Sequence, residues 1–476
     1  MARLISLAMS SKATNVATNI ITQAVSVLEI PYDDMGDWQK TAARGFVLFC
    51  GFFVFSLTPV AFVTLLYLTF SPAPWGIPHA VLALWSLSEV AFYVFYRYCF
   101  AIASRHQPPL KLTFDERIAL AKKMLEHIDD IFLMLNNWLH LQPTEPLTFK
   151  QYSTWIIYAF FDKAEENLTE DEVAQSKEIL SFFENQVEFP EASSDKEIVK
   201  YVPVRPTIEP LQVIHKPLIF FLVTGIPKML AHLGLQSFGF TRYAANDNIH
   251  YWSNNIKSHE LPILFIHGIG LGYSMYFRQV ARLTQLYPNR HIILYEVPSV
   301  SLSPVAEINT KDQTIQAVDI IFQTHNLETS SVIAHSYGTV IATWLVKFRP
   351  HYVTKLSLVD PICFMLWDST LVYGFLLSRP TSMLHEFIRL FLSRDLVMAN
   401  TFCRYFMWHA SFMFPDEIHC PANIYFSKKD CIIDAKTCYA HLEKHANDKV
   451  SLTMFDISHG IYLIDGEILD SILVKV

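Results

Sequence analysis

The sequence predicts an α/β fold in which a mainly parallel sheet follows an N-terminal membrane hairpin and a helical region. From residue 245 to the end of the chain, short apolar runs typical of buried strands alternate with helix-like patterns. Such alternation indicates a parallel sheet that is covered by helices on both faces. Earlier in the chain, residues 45–70 contain no charged side chain, and a segment of this length can cross a bilayer as a helix.

The composition differs from that of an ordinary soluble protein. Hydrophobic residues make up 51% of the 476 residues and charged residues 17%, whereas average soluble domains carry about 25% charged residues. The net charge of −8 and the lack of a basic stripe argue against nucleic acid as a partner. The seven cysteines include no Cys-X-X-Cys pair, which gives no support to a disulfide framework or a zinc site. We therefore expect neither a metal nor a cofactor.

Residues 45–103 are predicted to form two transmembrane segments, or a hairpin that enters and leaves the membrane on one side. The second segment, 80–103, contains Glu89 and Arg97. A glutamate in lipid is costly unless it is protonated, paired or turned inward, so Glu89 is expected to face the first segment or a water-filled defect. Basic residues flank the pair at its outer ends and are absent from the connecting loop, which predicts that both flanks, and the domain that follows them, lie in the cytosol. The endoplasmic reticulum and lipid droplets are the expected locations.

Two further regions flank this hairpin. Residues 1–44 form a tail in which 20–30 are either an amphipathic helix on the membrane surface or a solvated segment. Residues 104–244 are predicted to be a helical linker or scaffold, in which one helix runs from a capping-box pattern at 113–116 toward His140. Within 216–240, Pro227 and Lys228 interrupt the apolar run after about 10 residues, so this run is expected to be too short to span a membrane.

The region 245–476 is predicted to be the catalytic domain. Its candidate strands are 250–252, 263–266, 291–296, 331–334, 355–359, 422–426 and 451–455, and clear helical patterns cover 311–324 and 337–348. Residues 361–415 interrupt the alternation and are rich in aromatic residues and methionine. We interpret them as a helical cap over an apolar cleft, because methionine lets a pocket adapt to variable chains.

A candidate nucleophile lies at the end of the fourth candidate strand. Residues 334–338 read Ala-His-Ser-Tyr-Gly, and a small-X-Ser-X-Gly pattern between a strand and a helix is the signature of a strained turn that exposes a serine. Small residues at both ends, Ala334 and Gly338, let the backbone pass close to its neighbours. The pattern points to Ser336 as a nucleophile, which still requires a base and an oxyanion-binding site.

Two other segments complete the pattern. The strand 263–266 runs into His267-Gly268-Ile269-Gly270, and the last candidate strand is followed by His459 and Gly460. The three segments together resemble the α/β-hydrolase superfamily. The resemblance implies that His459 is the general base and that the main-chain N–H groups of Ile269 and Tyr337 form the oxyanion hole. His267, Gly268, Gly270 and Gly338 are the supporting residues of these motifs.

The acid of the predicted triad is less tightly specified. The resemblance favours Asp430, which follows the strand 422–426 and precedes an apolar pair. Two alternatives stay open. Asp360 ends the strand 355–359, where some relatives place the acid, and Asp434 follows four residues after Asp430 but is more typical of a helix start.

The predicted function is therefore a membrane-anchored serine hydrolase that cleaves lipophilic carboxylic esters, such as acylglycerols or lysophospholipids, through Ser336, His459 and Asp430. Its expected partners are a lipid-like ester substrate and a bilayer or lipid-droplet surface, and its oligomeric state is open. The alternatives are a catalytically silent membrane scaffold of the same fold, and an acyltransferase or thioesterase. The chain lacks the His-X4-Asp pattern of some acyltransferase-like relatives.

Overall fold

The computed structural model describes residues 27–71, 76–105, 112–139, 148–184, 203–377 and 380–476. An eight-stranded sheet organises the second half of the chain, with the strand order β1-β2-β4-β3-β5-β6-β7-β8. The strands β1 and β2 pair antiparallel, β2 pairs antiparallel with β4, and the remaining pairs are parallel. The strands are Thr241–Ala244, His250–Ser253, Ile263–Ile266, Ile292–Tyr295, Ser330–His335, Val353–Val359, Ala422–Ser427 and Val450–Phe455.

The predicted α/β class with a mainly parallel sheet is confirmed. Strands β3, β4 and β5 lie in the middle of the sheet and are buried along their whole length, as expected for parallel strands that are covered on both faces. The sheet begins at Thr241 with β1, whereas the catalytic domain was predicted to start at residue 245. This strand was missed because its sequence, Thr-Arg-Tyr-Ala, lies at the exposed sheet edge and lacks the apolar pattern of a buried strand.

In the described residues, helices precede the sheet, connect many of its strands and follow its last strand. In chain order, α1 to α15 are Asp37–Phe70, Ile77–Ala103, Phe114–His127, Ile131–Leu139, Phe149–Phe161, Glu170–Glu184, Leu218–Ser237, Tyr273–Leu286, Lys311–His325, Gly338–Phe348, Met383–Phe387, Leu396–Asn400, Trp408–Ser411, Ala435–His445 and Gly466–Leu473. The predicted helix from residue 113 toward His140 is two helices, α3 and α4. The break occurs because Asp130 caps α4, accepting a hydrogen bond from the Leu133 N–H at 2.8 Å.

Helices α1 and α2 form the predicted apolar hairpin and pack against each other. Helix α1 begins at Asp37, eight residues earlier than the predicted segment, and continues through Pro59 to Phe70. Both helices are long and apolar enough to cross a membrane. Residues 1–26, which include most of the predicted amphipathic stretch, lie outside the described residues.

Helix α7 corrects the prediction that residues 216–240 are too short to span a membrane. It runs unbroken from Leu218 to Ser237 through Pro227, and it is a third helix that is long and apolar enough to cross. Helix α7 continues past the charged Lys228, because the Lys228 Nζ donates to the carbonyl oxygens of Ser301 and Leu302 at 2.9 and 3.0 Å. A membrane helix tolerates such residues where protein groups satisfy them.

The carboxylate of Glu89 caps α7. Its two oxygens accept hydrogen bonds from the Leu218 and Ile219 N–H groups at 2.8 and 3.0 Å, and its side chain is 1% exposed. The first N–H groups of a helix have no partner within the helix, and negative charge there is favoured by the helix dipole. Glu89 therefore faces the start of α7, not α1 or a water-filled defect.

We expect Glu89→Leu to lower the free energy of unfolding by about 2–6 kcal/mol, since two part-buried main-chain donors lose their acceptors at about 1–3 kcal/mol each. Glu89→Gln should fall between this variant and the wild type, because one amide oxygen remains. Thermal unfolding in detergent measures the effect. Ser88→Ala is the matched control, as the Ser88 hydroxyl bonds only within its own helix, to the Leu84 carbonyl. Equal melting temperatures for Glu89→Leu and Ser88→Ala would contradict the capping role.

The segment 361–415, predicted as a cap, lies between β6 and β7 and contains α11, α12 and α13 together with the π-helical turns Val372–Leu377, Ile388–Ser393 and Thr401–Tyr405. It contacts the apolar N-terminal helices. The ring of Phe391 lies 5.8 Å from that of Phe55 on α1 and 5.8 Å from that of Phe220 on α7. The cap is thus packed directly against α1 and α7, which are two of the three helices in the described part of the chain that are long and apolar enough to cross a membrane.

Candidate active site

Ser336 lies in a strained turn between β5 and α10. Its φ angle is +51°, a value that non-glycine residues rarely adopt. The Ser336 N–H donates to the Val359 carbonyl on the neighbouring strand at 3.0 Å, which holds the turn. A Cβ atom at Gly338 would lie 2.4 Å from the Ile266 carbonyl oxygen, so only glycine fits there. The turn has the geometry that the sequence motif predicted.

The structure brings Ser336, His459 and Asp430 together. His459 follows β8, and its Nε2 lies 2.9 Å from the Ser336 Oγ. Its Nδ1 lies 2.6 Å from the Asp430 Oδ2. This is the hydrogen-bonded order in which a base can take the proton of a serine while an acid orients the base.

The three candidate acids have different environments. The side chain of Asp430 is fully buried against His459. Asp434 caps α14 by accepting from the Thr437 N–H at 3.1 Å, which is the helix-starting role considered for it. Asp360 accepts from the Gly460 N–H at 2.7 Å and does not contact the His459 ring through a hydrogen bond. The geometry therefore favours Asp430 as the triad acid.

The loop after β3 is fixed by hydrogen bonds on both sides of Ile269. The Gly268 N–H donates to the Tyr276 hydroxyl at 2.9 Å, and the Gly270 N–H donates to the Val300 carbonyl at 2.9 Å. Among the described residues, no acceptor is paired with the N–H of Ile269 or of Tyr337. These two donors are the ones predicted for the oxyanion hole, and they are left available for a substrate.

His267 anchors this loop. Its Nε2 accepts from the Val297 N–H at 2.9 Å, and its Nδ1 lies 2.8 Å from the Gly268 carbonyl oxygen. Burial lowers the pKa of His267 to about 4, so the ring is neutral and can accept at one nitrogen while donating at the other. A Cβ atom at Gly268 would lie 2.8 Å from the Ser336 Cβ, and this contact explains why glycine follows His267.

The carboxylates near His459 raise the pKa of its imidazole. Burial alone would lower the pKa of His459, but the Asp430 carboxylate outweighs burial and raises it to about 9, with a further contribution from Asp360. A carboxylate next to the ring stabilises its charged form. That form is the one a general base reaches after it has taken a proton from serine.

A second buried network lies beside the triad and was not predicted from the sequence. The His335 Nδ1 lies 2.6 Å from the Tyr276 hydroxyl, and its Nε2 lies 3.6 Å from the Asp360 Oδ2. Asp360 in turn holds the main chain next to His459. The histidine that precedes Ser336 and the aspartate that ends β6 were visible signals, but only their pairing across the sheet reveals the network.

The nucleophile is covered in this conformation. Ser336 is 2% exposed, and the ring of Phe402 from the cap lies 5.5 Å from that of Tyr337. A cavity of about 1030 Å³ between the cap and α14 is lined by Asp430, but neither Ser336 nor His459 lines it.

Comparisons with known proteins were made by sequence and by structure. No family model matches the chain. A curated relative, the abhydrolase domain-containing protein abhd-5.2 of Caenorhabditis elegans, is 29% identical over 105 residues, which are 21% of this chain and 23% of the relative. The match thus spans about a quarter of the relative's length.

Several solved structures are similar to part of the chain. A bacterial membrane phospholipase A shares 16% identity and covers 53% of this chain and 93% of its own, with a TM-score of 0.37. Naproxen esterase from Bacillus subtilis shares 10% identity over 53% and 97% of the two chains, with a TM-score of 0.37. A putative lipase from Acinetobacter baumannii shares 16% identity over 51% and 92%, also with a TM-score of 0.37.

The fold itself follows from the topology and the placement of the motifs. The second strand is antiparallel within an otherwise mainly parallel eight-stranded sheet. The strained serine turn follows β5, and the histidine that contacts it follows β8. The chain has an α/β-hydrolase fold, preceded by helices that are apolar enough to span a membrane.

Proposed function

We propose that this protein is a membrane-anchored serine hydrolase that cleaves lipophilic carboxylic esters of the acylglycerol or lysophospholipid type. The hydrogen-bonded chain from Ser336 Oγ through His459 to Asp430, at 2.9 and 2.6 Å, carries the proposal. This arrangement supports the roles of nucleophile, base and orienting acid for the three residues. A silent scaffold of the same fold would not need to keep all three.

In the proposed reaction, His459 Nε2 takes the Ser336 proton as Oγ attacks the ester carbonyl carbon. The oxygen of the tetrahedral intermediate accepts hydrogen bonds from the N–H groups of Ile269 and Tyr337, each of which supplies about 3–4 kcal/mol. His459 then protonates the departing alcohol and leaves an acyl-Ser336. A water molecule, deprotonated by His459, attacks this ester, and Ser336 recovers its proton as the acid departs.

The membrane anchor supports a lipid substrate. Phe391 of the cap packs against both α1 and α7, so the segment that covers Ser336 adjoins the helices that enter the bilayer. An ester dissolved in the membrane would then reach the cleft by lateral diffusion. We propose that the segments flanking the α1–α2 hairpin lie in the cytosol, because basic residues stand at its outer ends.

A fluorophosphonate probe tests the chemistry, because it reacts with an activated serine and mimics the tetrahedral intermediate. We expect the detergent-solubilised protein to be labelled, with the adduct on Ser336 by peptide mass spectrometry, and heat-denatured protein to stay unlabelled. Hydrolysis of a panel of acylglycerols, lysophospholipids and acyl thioesters then identifies the substrate class. Folded protein that neither reacts with the probe nor hydrolyses any ester of the panel would support the silent scaffold instead.

A further inference from the structure

Helix α7 is long and apolar enough to cross a membrane, but the parts of the chain before and after it pack against each other. The Trp138 indole N–H of α4 donates to the Trp367 carbonyl of the cap at 2.6 Å. The Trp408 indole N–H of the cap donates to the Ala159 carbonyl of α5 at 2.9 Å. Buried side chains of α3–α6 and of the sheet belong to one hydrophobic core. Both flanks of α7 are therefore parts of one folded body.

The residues next to α7 are held by the same body. Before the helix, the Ile214 N–H donates to the Arg394 carbonyl of the cap at 2.9 Å, and the Arg394 guanidinium donates to the Gln212 side-chain oxygen at 2.6 Å. After the helix, the chain enters β1, which pairs with β2. A helix that crosses a bilayer separates its flanks by a hydrocarbon layer of about 30 Å. Two flanks that join one body argue against such a crossing.

The hairpin of α1 and α2 also returns to this body. Before α1, the Tyr32 N–H donates to the Thr381 carbonyl of the cap at 2.7 Å. At the other end, Ala103 is the last residue of α2 and packs in one buried cluster with Leu211 and with Leu396 of the cap. The chain thus enters and leaves the hairpin on one side of the membrane, and α7 starts from that side.

One face of α7 packs on the body from the first turn of the helix to the last. The ring of Phe220 in the first turn stacks on that of Phe391 in the cap at 5.8 Å. Three turns later, the His232 ring lies 5.1 Å from that of Trp252 on β2. Leu235 in the last turn is fully buried. A helix with contacts along its whole length lies on the surface of the body and does not project from it.

The opposite face of α7 is an exposed apolar stripe. Lys228 is the single Lys, Arg, Asp or Glu of the helix, and its ammonium group donates to carbonyl oxygens of the body. The stripe consists of apolar side chains that recur every three or four residues and are each 52–62% exposed: Leu222, Val223, Ile226, Met229, Leu230 and Leu233. We call these residues the outer stripe. Contiguous apolar surface of this kind marks a contact with a membrane or a protein.

The neighbours of the outer stripe favour a membrane as its partner. The start of α7 is joined to α2 through Glu89, and the Phe221 ring lies 5.7 Å from that of Phe92 on α2. Helix α2 itself exposes apolar side chains such as Leu84 and Val94, at 68% and 62%. Lipid that surrounds the hairpin therefore borders α7 as well. A helix that lies in a membrane surface buries its apolar face about 5–10 Å into the boundary between headgroups and acyl chains.

We propose that α7 does not cross the bilayer but lies in the surface of the membrane that the hairpin enters, with the outer stripe in lipid. Its other face carries the catalytic domain. Lys228 links the helix to the candidate active site, because it donates to the carbonyl oxygens of Ser301 and Leu302. The adjacent Val300 carbonyl accepts from the Gly270 N–H of the loop after β3. The helix thus fixes the distance of this loop from the lipid.

Protease protection of tags at the two chain ends tests the topology. In sealed microsomes that contain the full-length protein, the N-terminal and C-terminal tags should be digested together or protected together, because the hairpin returns and α7 does not cross. Detergent should make both tags accessible. Digestion of one tag and protection of the other would require an odd number of crossings and would overturn the proposal.

Photocrosslinking in phosphatidylcholine vesicles tests the contact with lipid. The full-length protein is reconstituted with lipids that carry a diazirine either in the upper part of the acyl chain or at its end, and adducts are located by mass spectrometry. For a helix that lies flat, the upper label should modify the whole outer stripe evenly, from Leu222 to Leu233. A crossing helix would instead react with the deep label at its middle and with the upper label at its ends, which would contradict the proposal.

Val173 is the matched control for the crosslinking. It is an apolar residue of α6 that is 38% exposed, and it follows Glu170, Asp171 and Glu172, whose charges are unsuited to lipid. Neither label should modify it. An outer stripe without adducts in vesicles where the hairpin is labelled would also sink the proposal, because a protein partner would then cover that face of α7. Neither experiment depends on ester hydrolysis, so the two proposals fail independently.

Discussion

Ser336→Ala is expected to reduce kcat for ester hydrolysis by about 10⁶-fold, the size of the loss when the serine of a working triad is removed. The reason is geometric. The Ser336 Oγ is the atom that His459 Nε2 contacts at 2.9 Å, and alanine leaves the imidazole with no nucleophile to activate. The oxyanion donors remain, so a residual acceleration of about 10³–10⁴ over the reaction in water is expected. Initial-rate measurements on the best ester of the panel give the value.

Ser331→Ala is the matched control for this variant. Ser331 lies on the same strand, β5, is fully buried, and its hydroxyl has no hydrogen-bond partner among the described residues. Its replacement should leave kcat and fluorophosphonate labelling near wild-type values. If Ser336→Ala keeps its activity, or if both variants lose it equally, Ser336 is not the nucleophile.

The motifs of the candidate site were visible in the sequence because the local backbone restricts which residue types fit at each of them. Ser336 at positive φ, Gly338 against a carbonyl oxygen and Gly268 against Ser336 each restrict the residue types that fit. Because each restriction acts within a few residues, the resulting motif can be recognised in the sequence alone. The position of His459 could be predicted because it comes directly after the last strand, β8, and therefore lies at the same edge of the sheet as the residues that follow β5.

Features that depend on pairing between distant segments were not predictable. In the sequence, Pro227 and Lys228 indicated the end of an apolar segment. Helix α7 nevertheless continues through both residues, because carbonyl oxygens of another loop accept hydrogen bonds from the Lys228 ammonium group. The sequence indicated that the charge of Glu89 needs a partner, but it could not show which one. The partner is the N–H of Leu218 at the start of α7, 129 residues later.

Asp430→Asn is the second large effect, with an expected loss of about 10⁴-fold in kcat, because an amide in place of the carboxylate favours the wrong tautomer of the imidazole. A change in pH dependence should accompany it. His459 must be neutral to act as a base, so kcat/KM of the wild type should rise with pH through the pKa of His459, about 9. Removing the Asp430 charge destabilises the imidazolium, and the rise should therefore move to lower pH.

Asp360→Asn separates the two candidate acids. Asp360 also raises the pKa of His459, but less than Asp430 does, and an asparagine oxygen can still accept the hydrogen bond from the Gly460 N–H. We therefore expect a loss of less than about tenfold in kcat and a smaller move of the pH profile in the same direction. The assignment of Asp430 fails if Asp360→Asn shows the larger loss and Asp430→Asn keeps the wild-type profile, because the charge that stabilises the imidazolium would then come from the end of β6.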